Sequence, residues 1–430
     1  MKIALVNPPW SFEGSIYFGC REPHLPLEFA YAKALLEREG HEVMLADAQL
    51  EGLNTESLCA RVRDFAPDAS VVTTTPSYLF WRCPPPELRV PKRLIAQLGK
   101  EAGKIIAVGP HGSTSPLTTL GKLGADMVVM GECEEVLRSY AAEGDPAKVA
   151  SMAWRDESGE VHLQGGPAAC DMKALPALHW PQAFIARHHH HHHRFDREVE
   201  GLGAEMEASR GCPYRCTFCA KDNYRDKYRK RPLATVLEEL DGLIAQGVRY
   251  VYFIDEIFLP DRALLDALGE RDLKFGVQTR IDNWSEEMLD ILGAAGCVSI
   301  EAGVESISVE GRAHLDKRCK LTTDELASRL IRAKRSVPFV QATLMEGASD
   351  DPTEVERWRQ ELLDHGVWAN KPVPLFSYPG SPDYTRRWGK PDGRAWERAH
   401  DDYLVRFSEF SDIQEERPIR LPLLEGSMEG

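Results

Sequence analysis

Twice along its 430 residues the chain alternates short apolar runs with amphipathic stretches, and the runs end in glycine, proline, hydroxyl or acidic residues. Between 1 and 150 the runs are Lys2–Val6, Glu42–Ala46, Ala69–Thr73, Lys104–Val108 and Met127–Met130. Leu27–Glu39 carries Leu27, Ala30, Tyr31, Ala34 and Leu35 at helical spacing and stops at Gly40. Strands separated by helices pair in parallel, and such sheets bind ligands beyond the carboxyl ends of their strands. Residues 1–150 are therefore expected to form an α/β, doubly wound, Rossmann-like domain.

The alternation resumes at Ala204. Met206–Ser209, Tyr250–Ile254, Phe275–Thr279, Val298–Glu301, Phe339–Leu344 and Val373–Phe376 read as six strands. The intervening helices include Ala234–Gln246 (Val236, Leu237, Leu240, Leu243, Ile244) and Ser285–Ala294, with Ser285 as N-cap. Residues 204–390 are expected to close into a partial (β/α)6 barrel whose active face is its carboxyl end. Between the two units, 151–203 reads as a linker. It holds a strand–turn–strand at Ser151–Leu163, a proline-punctuated connector at Leu175–Pro181 and six histidines, His188–His193. Residues 391–430 read as a closing helix and tail, with Trp396, Tyr403 and Phe407 at helical spacing.

Composition excludes several classes. The chain is 43% hydrophobic and 28% charged, as an ordinary globular protein is, and its net charge of −15 disfavours nucleic acid as a partner. It has no apolar run of about 18 residues, so no membrane span is expected. Met1–Asn7 reads as a buried strand rather than a signal peptide. Seven of the ten cysteines (Cys20, Cys59, Cys83, Cys133, Cys170, Cys297, Cys319) are scattered singly, which suits a reducing, cytoplasmic location rather than a disulfide framework.

The other three, Cys212, Cys216 and Cys219, stand together in Ser209-Arg-Gly-Cys-Pro-Tyr-Arg-Cys-Thr-Phe-Cys219. Thiolates are soft ligands for zinc or iron–sulfur clusters, and a structural zinc site normally takes four ligands. Three thiolates on a four-iron cluster leave one iron open; the alternative is a zinc knuckle completed by a histidine from elsewhere. The C-x3-C-x2-C spacing resembles the signature of the radical SAM enzymes, whose [4Fe-4S] cluster binds S-adenosylmethionine at the open iron. The resemblance extends over roughly 204–385. It implies that Phe218 in the motif, Asp255 and Glu256 after the second strand, and Gln278 and Arg280 after the third meet this cofactor. Glu305 and Ser306 match the family's G-x-E-S element, and Ser377–Pro382 resembles its Pro-Gly-Thr-Pro element.

The loops of the first unit resemble the cobalamin-binding domain that precedes the radical SAM core in part of that family. Ser77-Tyr78-Leu79 matches its S-x-L element, Gly109-Pro-His111-Gly112 its glycine-rich element and Gly131-Glu132-Cys-Glu134 its closing G-E-x-E. Pro8, Pro9, Thr75, Ser77, Tyr78, Leu79, Gly109, His111, Gly112, Gly131 and Glu132 are the implied cobalamin contacts. The D-x-H-x-x-G motif is absent, Asn7-Pro8-Pro9 standing in its place, so cobalt would lack a lower histidine ligand. His111 is then a hydrogen-bond donor rather than a metal ligand. From the residues alone, an ordinary flavodoxin-like sheet with Gly/Pro turns also fits these loops.

The joint resemblance implies cleavage of S-adenosylmethionine to a 5′-deoxyadenosyl radical and methylation of an unactivated carbon of a small-molecule substrate through cobalamin. It also implies a reductant such as flavodoxin or ferredoxin. A radical rearrangement, cyclisation or oxidation is the alternative, and a non-catalytic cobalamin or redox sensor a third reading. The basic stretch Lys221–Arg231 could hold an anionic substrate or simply cap the cluster loop. The histidine run could be a connector, an anion contact or a metal binder.

Overall fold

The structure, a computed structural model, describes residues 1–16, 21–76, 84–188, 201–221, 225, 227–346, 350–407 and 417–426. Ser77, Tyr78 and Leu79, most of the histidine run and Tyr224 lie outside the described residues.

The first sheet contains β1 (Lys2–Asn7), β2 (Glu42–Asp47), β3 (Ala69–Thr73), β4 (Lys104–Val108), β5 (Met127–Val129), β6 (Met152–Arg155) and β7 (Val161–Gln164). Their order is β2-β1-β3-β4-β5-β6-β7. The first five are parallel, and the strand order reverses between β1 and β3, the place where doubly wound sheets open a ligand crevice. The strand–turn–strand of the linker adds to this sheet, because β6 pairs antiparallel with β5 and β7 with β6.

Then follow β8 (Leu202–Met206), β9 (Ser209–Arg210), β10 (Arg229–Lys230), β11 (Val248–Phe253), β12 (Lys274–Thr279), β13 (Cys297–Glu305), β14 (Phe339–Leu344) and β15 (Trp368–Ala369). Six of these form an all-parallel sheet, β15-β14-β13-β12-β11-β8. Alternation of period two sorts their side chains. Val251, Phe253, Phe275, Val277, Ile300, Ala302, Val340 and Ala342 share a core with helix residues Leu240, Leu243, Leu264, Leu289 and Leu330. The alternate set is more polar: Glu205, Tyr252, Gly276 and Ser299 lie in one row and Gln278, Glu301 and Gln341 in the next. A Cβ on Gly276 would sit 2.3 Å from the Tyr250 hydroxyl, so the missing side chain makes room for this tyrosine.

One expected strand moves. The sixth position is held by Trp368–Ala369, while Val373 makes only an isolated bridge to Met345. Pro372 and Pro374 flank Val373 and have no N–H to give a ladder. Ser285 is the N-cap of helix Glu286–Ala294, its hydroxyl accepting the Met288 N–H at 3.2 Å. At the C-terminus, helix Ala395–Arg406 and Leu421 form a separate core with Ile16, Phe376 and Tyr384. The last described segment then returns to the first domain, where Glu425 accepts from Leu88 N–H (3.1 Å) and Lys122 (2.8 Å). Among the described residues no helix is long and apolar enough to cross a membrane.

Candidate active site

The cysteine loop leaves the carboxyl end of β8 and is held at its base by β9–β10 pairing, Arg210 opposite Arg229 and Ser209 opposite Lys230. Gly211, with φ of +79°, lies so close to the returning chain that a Cβ would meet the Lys227 carbonyl oxygen at 2.1 Å. Only glycine tolerates both demands there. Farther along, Thr217 sits between Cys216 and Cys219 and pins the loop to two other elements. Its N–H donates to the Leu315 carbonyl (3.0 Å) and its hydroxyl to Asp383 (2.9 Å), while the Asp383 N–H returns to the Thr217 carbonyl (2.9 Å). Asp383 lies just after the expected Ser377–Pro382 element, in a helix that Ser381 caps.

Burial pushes all three thiols up, Cys219 to about 12, and nearby cations oppose it: Lys221 at Cys212 and Cys219, Lys317 and Arg280 at Cys216. Metal binding must therefore displace protons. Among the described residues, three sets of potential ligands have donor atoms all within 4.8 Å of one another, and the cysteine triad is not one of them. Sulfurs 2.3 Å from a single zinc would stand about 3.8 Å apart. The wider spread suits thiolates on separate irons of a cluster, and the three half-buried cysteines, which form no disulfide, fit that group.

The strand ends around this loop are tightly engaged. Asp255 accepts the Ala208 N–H at 2.9 Å and the Ser209 hydroxyl, and burial pushes its carboxyl up to about 7. Glu256 accepts the Gly211 N–H at 2.7 Å and pairs with Arg225 at 3.2 Å. Both acids thus support the lead-in to Cys212. The Gln278 carbonyl accepts from Phe258 (2.8 Å). Arg280 is fixed by Asp282 (2.7 and 3.1 Å) and lies 3.8 Å over the Tyr214 ring, inside the cysteine motif. Phe218 is half-buried in the same loop.

Glu305 has a φ of +60° at a register shift of β13, an unusual conformation for a residue with a side chain. Its carboxylate pairs with buried Lys317, whose ammonium also donates to the Gly303 carbonyl at 2.9 Å. Ser306 donates to Asp350 at 2.9 Å, and Asp350 also accepts the Ile307 N–H at 3.0 Å. A cavity of about 470 Å³ opens beside Leu315 and Asp383, lined also by Glu346, Ser377, Arg386, Arg387 and Arg406. Sequence reasoning missed Lys317, Thr217, Asp350 and Asp383. Two of them carried a signal, Thr217 by its place inside the cysteine motif and Asp383 by its place next to the Pro-Gly element.

In the first domain the loops after β1, β3, β4 and β5 meet. Asn7 donates to Asp47 at 2.7 Å and accepts from the Trp10 indole at 2.7 Å, which orders the turn through Pro8 and Pro9. Three expected loop glycines face protein. A Cβ would meet Thr74 Oγ1 at 2.2 Å from Gly109, Val128 Cγ1 at 2.4 Å from Gly112 and the Ala168 backbone at 2.3 Å from Gly131. His111 is buried, with Nδ1 3.2 Å from the Thr74 hydroxyl and its ring 4.4 Å from that of Trp396 in the C-terminal helix. Burial drives its pKa down to about 3, against the carbonyls of Pro85 and Pro86, so the ring is neutral. Among the described residues the buried Thr75 hydroxyl has no hydrogen-bond partner, a polar atom on this loop cluster that fits a group with amide donors such as cobalamin.

Glu132 and Glu134 turn toward the barrel. The fully buried Arg210 guanidinium lies 2.9 Å from Glu132 and 2.7 Å from Glu134, and also forks onto Glu207. Arg229 pairs with Glu132 as well, and Glu132 accepts the Cys170 N–H at 3.0 Å. The arginines hold Glu132 below its ordinary range against the cost of burial. Nearby Glu28 is pushed up to about 8 by burial. The basic stretch is largely consumed in this way: Arg225 meets Glu207 and Glu256, Arg231 meets Glu239 and Lys230 meets Asp261.

The B12 binding domain family matches residues 20–141 and the Radical SAM superfamily residues 206–358. The chain is 24% identical over 325 residues to an uncharacterized methyltransferase of Pyrococcus horikoshii, covering 72% of this chain and 66% of that protein. It is 23% identical over 414 residues to the anaerobic magnesium-protoporphyrin IX monomethyl ester cyclase of Cereibacter sphaeroides, covering 87% and 63%. The cytidylyl-2-hydroxyethylphosphonate methyltransferase of Streptomyces wedmorensis is 24% identical over 370 residues, covering 71% and 65%. The chain thus spans just under two thirds of the length of these curated relatives. Its fold is that of the radical S-adenosylmethionine methyltransferase TsrM from Kitasatospora setae, solved with cobalamin and a [4Fe-4S] cluster (TM-score 0.70, 19% identity, 90% of this chain, 78% of that one). OxsB, a cobalamin-dependent S-adenosylmethionine radical enzyme, shares it at a TM-score of 0.64, with 19% identity over 85% of this chain and 51% of that one. The chain thus carries a B12-binding domain and a radical SAM domain, and a buried ion-pair network joins the two.

Proposed function

We propose that the chain is a cobalamin-dependent radical SAM methyltransferase that acts on an unactivated carbon of a small molecule. The observation that carries this reading is the cysteine loop: three thiols on one pinned loop at the carboxyl end of the barrel, tied through Arg210 to the loop after β5. Cys212, Cys216 and Cys219 would hold a [4Fe-4S] cluster, and the loops through Pro8, Thr75 and His111 would hold cobalamin. When bound, the cluster with S-adenosylmethionine supplies a 5′-deoxyadenosyl radical, and cobalamin supplies the methyl group.

The chain's own residues do the rest. Arg280 and Lys317 place positive charge beside Cys216 and favour its thiolate. Thr217, Asp383, Asp255 and Glu256 fix the loop so that the reacting atoms are not displaced. The three arginines lining the cavity are already paired, Arg386 with Asp383 and Arg387 and Arg406 with Asp402, so they give no preference for a charged substrate. A low-potential donor of the flavodoxin or ferredoxin class would deliver the electron, in the cytoplasm.

The test uses anaerobically purified, reconstituted and reduced protein. Formation of 5′-deoxyadenosine is expected, and its absence would overturn the enzyme reading. Likeness to the cyclase of Cereibacter sphaeroides favours a second outcome, ring closure without methylation. Label from methyl-labelled S-adenosylmethionine appearing in the product supports methyl transfer; product without label supports cyclisation.

A further inference from the structure

Three sets of potential metal ligands converge among the described residues. One, Glu132, Glu134 and Cys170, is filled by the Arg210 guanidinium. Another, Asp156, Glu160 and His162, lies on the turn of the β6–β7 hairpin, where Glu160 is exposed. The third unites His24, His188 and Glu205, all of them buried. We infer that His24, His188 and Glu205 bind one divalent cation of the zinc class at a structural site separate from the cysteine loop.

The three residues come from distant parts of the chain. His24 precedes helix Leu27–Arg38, His188 ends helix Gln182–Arg187 and begins the histidine run, and Glu205 lies on β8, the edge strand of the barrel. Glu205 Oε1 is 2.6 Å from His24 Nδ1, and Oε2 is 3.6 Å from His188 Nε2. Ligand atoms about 2.1 Å from one ion stand about 3–3.5 Å apart, and the two separations bracket that value.

The orientation of His188 identifies its ligand nitrogen. Nδ1 lies 3.1 Å from the Gly203 carbonyl oxygen, which can only accept, so Nδ1 carries the hydrogen. In the neutral ring Nε2 then carries the lone pair, 3.6 Å from Glu205 Oε2, and is the nitrogen placed to join the carboxylate on one ion. A histidine that gives its other N–H to a backbone carbonyl is the usual arrangement around a bound metal. Two imidazoles and a carboxylate able to give both oxygens make a four-donor N/O set, which suits zinc. Complete burial makes the site structural, a staple joining the segment after β1, the linker and the barrel.

The test is metal content of the full-length protein after loading with zinc and desalting, with zinc, iron and cobalt counted separately. About one tightly held zinc per chain is expected. It should survive in C212A/C216A/C219A, which excludes the cluster cysteines, and in a variant with His189 to His193 replaced by asparagine, which excludes the rest of the run. His24→Ala and Glu205→Gln should lose it. No zinc in the parent, or loss of zinc in either control, overturns the site. If His24→Ala and Glu205→Gln do not fold, stripping and reloading the parent decides: Tm should fall by several degrees and recover, and a Tm that ignores the metal overturns the staple.

Discussion

Arg210, two residues before Cys212, places Nη1 2.9 Å from Oε2 of Glu132 in the loop after β5. Both side chains are essentially without solvent contact, and Glu134 and Glu207 complete the fork. Buried ion pairs gain little over apolar packing, but breaking one strands a charge in low dielectric. Arg210→Met should therefore cost about 3–5 kcal/mol in denaturant unfolding. Adding Glu132→Gln should cost less than the sum of the single changes, a coupling of about 1 kcal/mol or more. Strict additivity would show that the two side chains do not act as a pair. Arg210→Lys should recover only part of the loss, because a point charge cannot serve three carboxylates from a planar fork.

Cys216→Ala should abolish the visible absorbance of the reconstituted cluster and the formation of 5′-deoxyadenosine. Cobalamin binding should persist, because the loops of the first domain make no use of that thiol. Titrating the variant with cobalamin while recording its spectrum checks both halves; a full cluster in the variant would sink the ligand assignment.

The legible part of this molecule was the part written locally. Short apolar runs gave the strands, and Cys212, Cys216 and Cys219 were visible as a spacing, because a loop that offers three thiols must hold them close in sequence. Val373 misled because its apolar neighbours suggested a strand while Pro372 and Pro374 denied it a ladder. Glu132 was visible as part of a motif, yet its engagement by Arg210 and Arg229 could not be read, since those partners are far away in sequence. Lys317 was invisible for the same reason. Its pairing with Glu305 depends on how β13 ends, which no periodicity encodes.

Glu305 combines a left-handed backbone with a buried ion pair, and the two can be separated. Glu305→Ala keeps the strained φ and strands the Lys317 ammonium; Glu305→Gly strands the same charge but relieves the backbone. The glycine variant should be the more stable of the two by about 1 kcal/mol, and both should fall below the parent. Urea unfolding of the three proteins side by side measures this. An alanine variant at least as stable as the glycine variant would contradict the backbone conformation.

Asp255 makes stability depend on pH in a stated direction. Burial raises its folded pKa to about 7 from an ordinary value of 3.8, so between those values the folded state binds a proton that the unfolded state has released. Stability from this group is then greatest below about pH 4, falls as pH rises, and levels off above about pH 7. Over the whole range the loss is on the order of 4 kcal/mol. Glu28 and Asp47, pushed up to about 8 and about 6 by burial, act in the same direction, so the parent curve alone does not isolate Asp255. Asp255→Asn does. Its carbonyl can still accept the Ala208 N–H, and its amide can donate to the Ser209 hydroxyl oxygen where the acid accepted from that hydroxyl. The asparagine variant should therefore match the parent below about pH 4 and exceed it at pH 8, with a shallower slope of unfolding free energy between the two. Parallel slopes for parent and variant would mean that Asp255 ionises in the folded protein as it does in water.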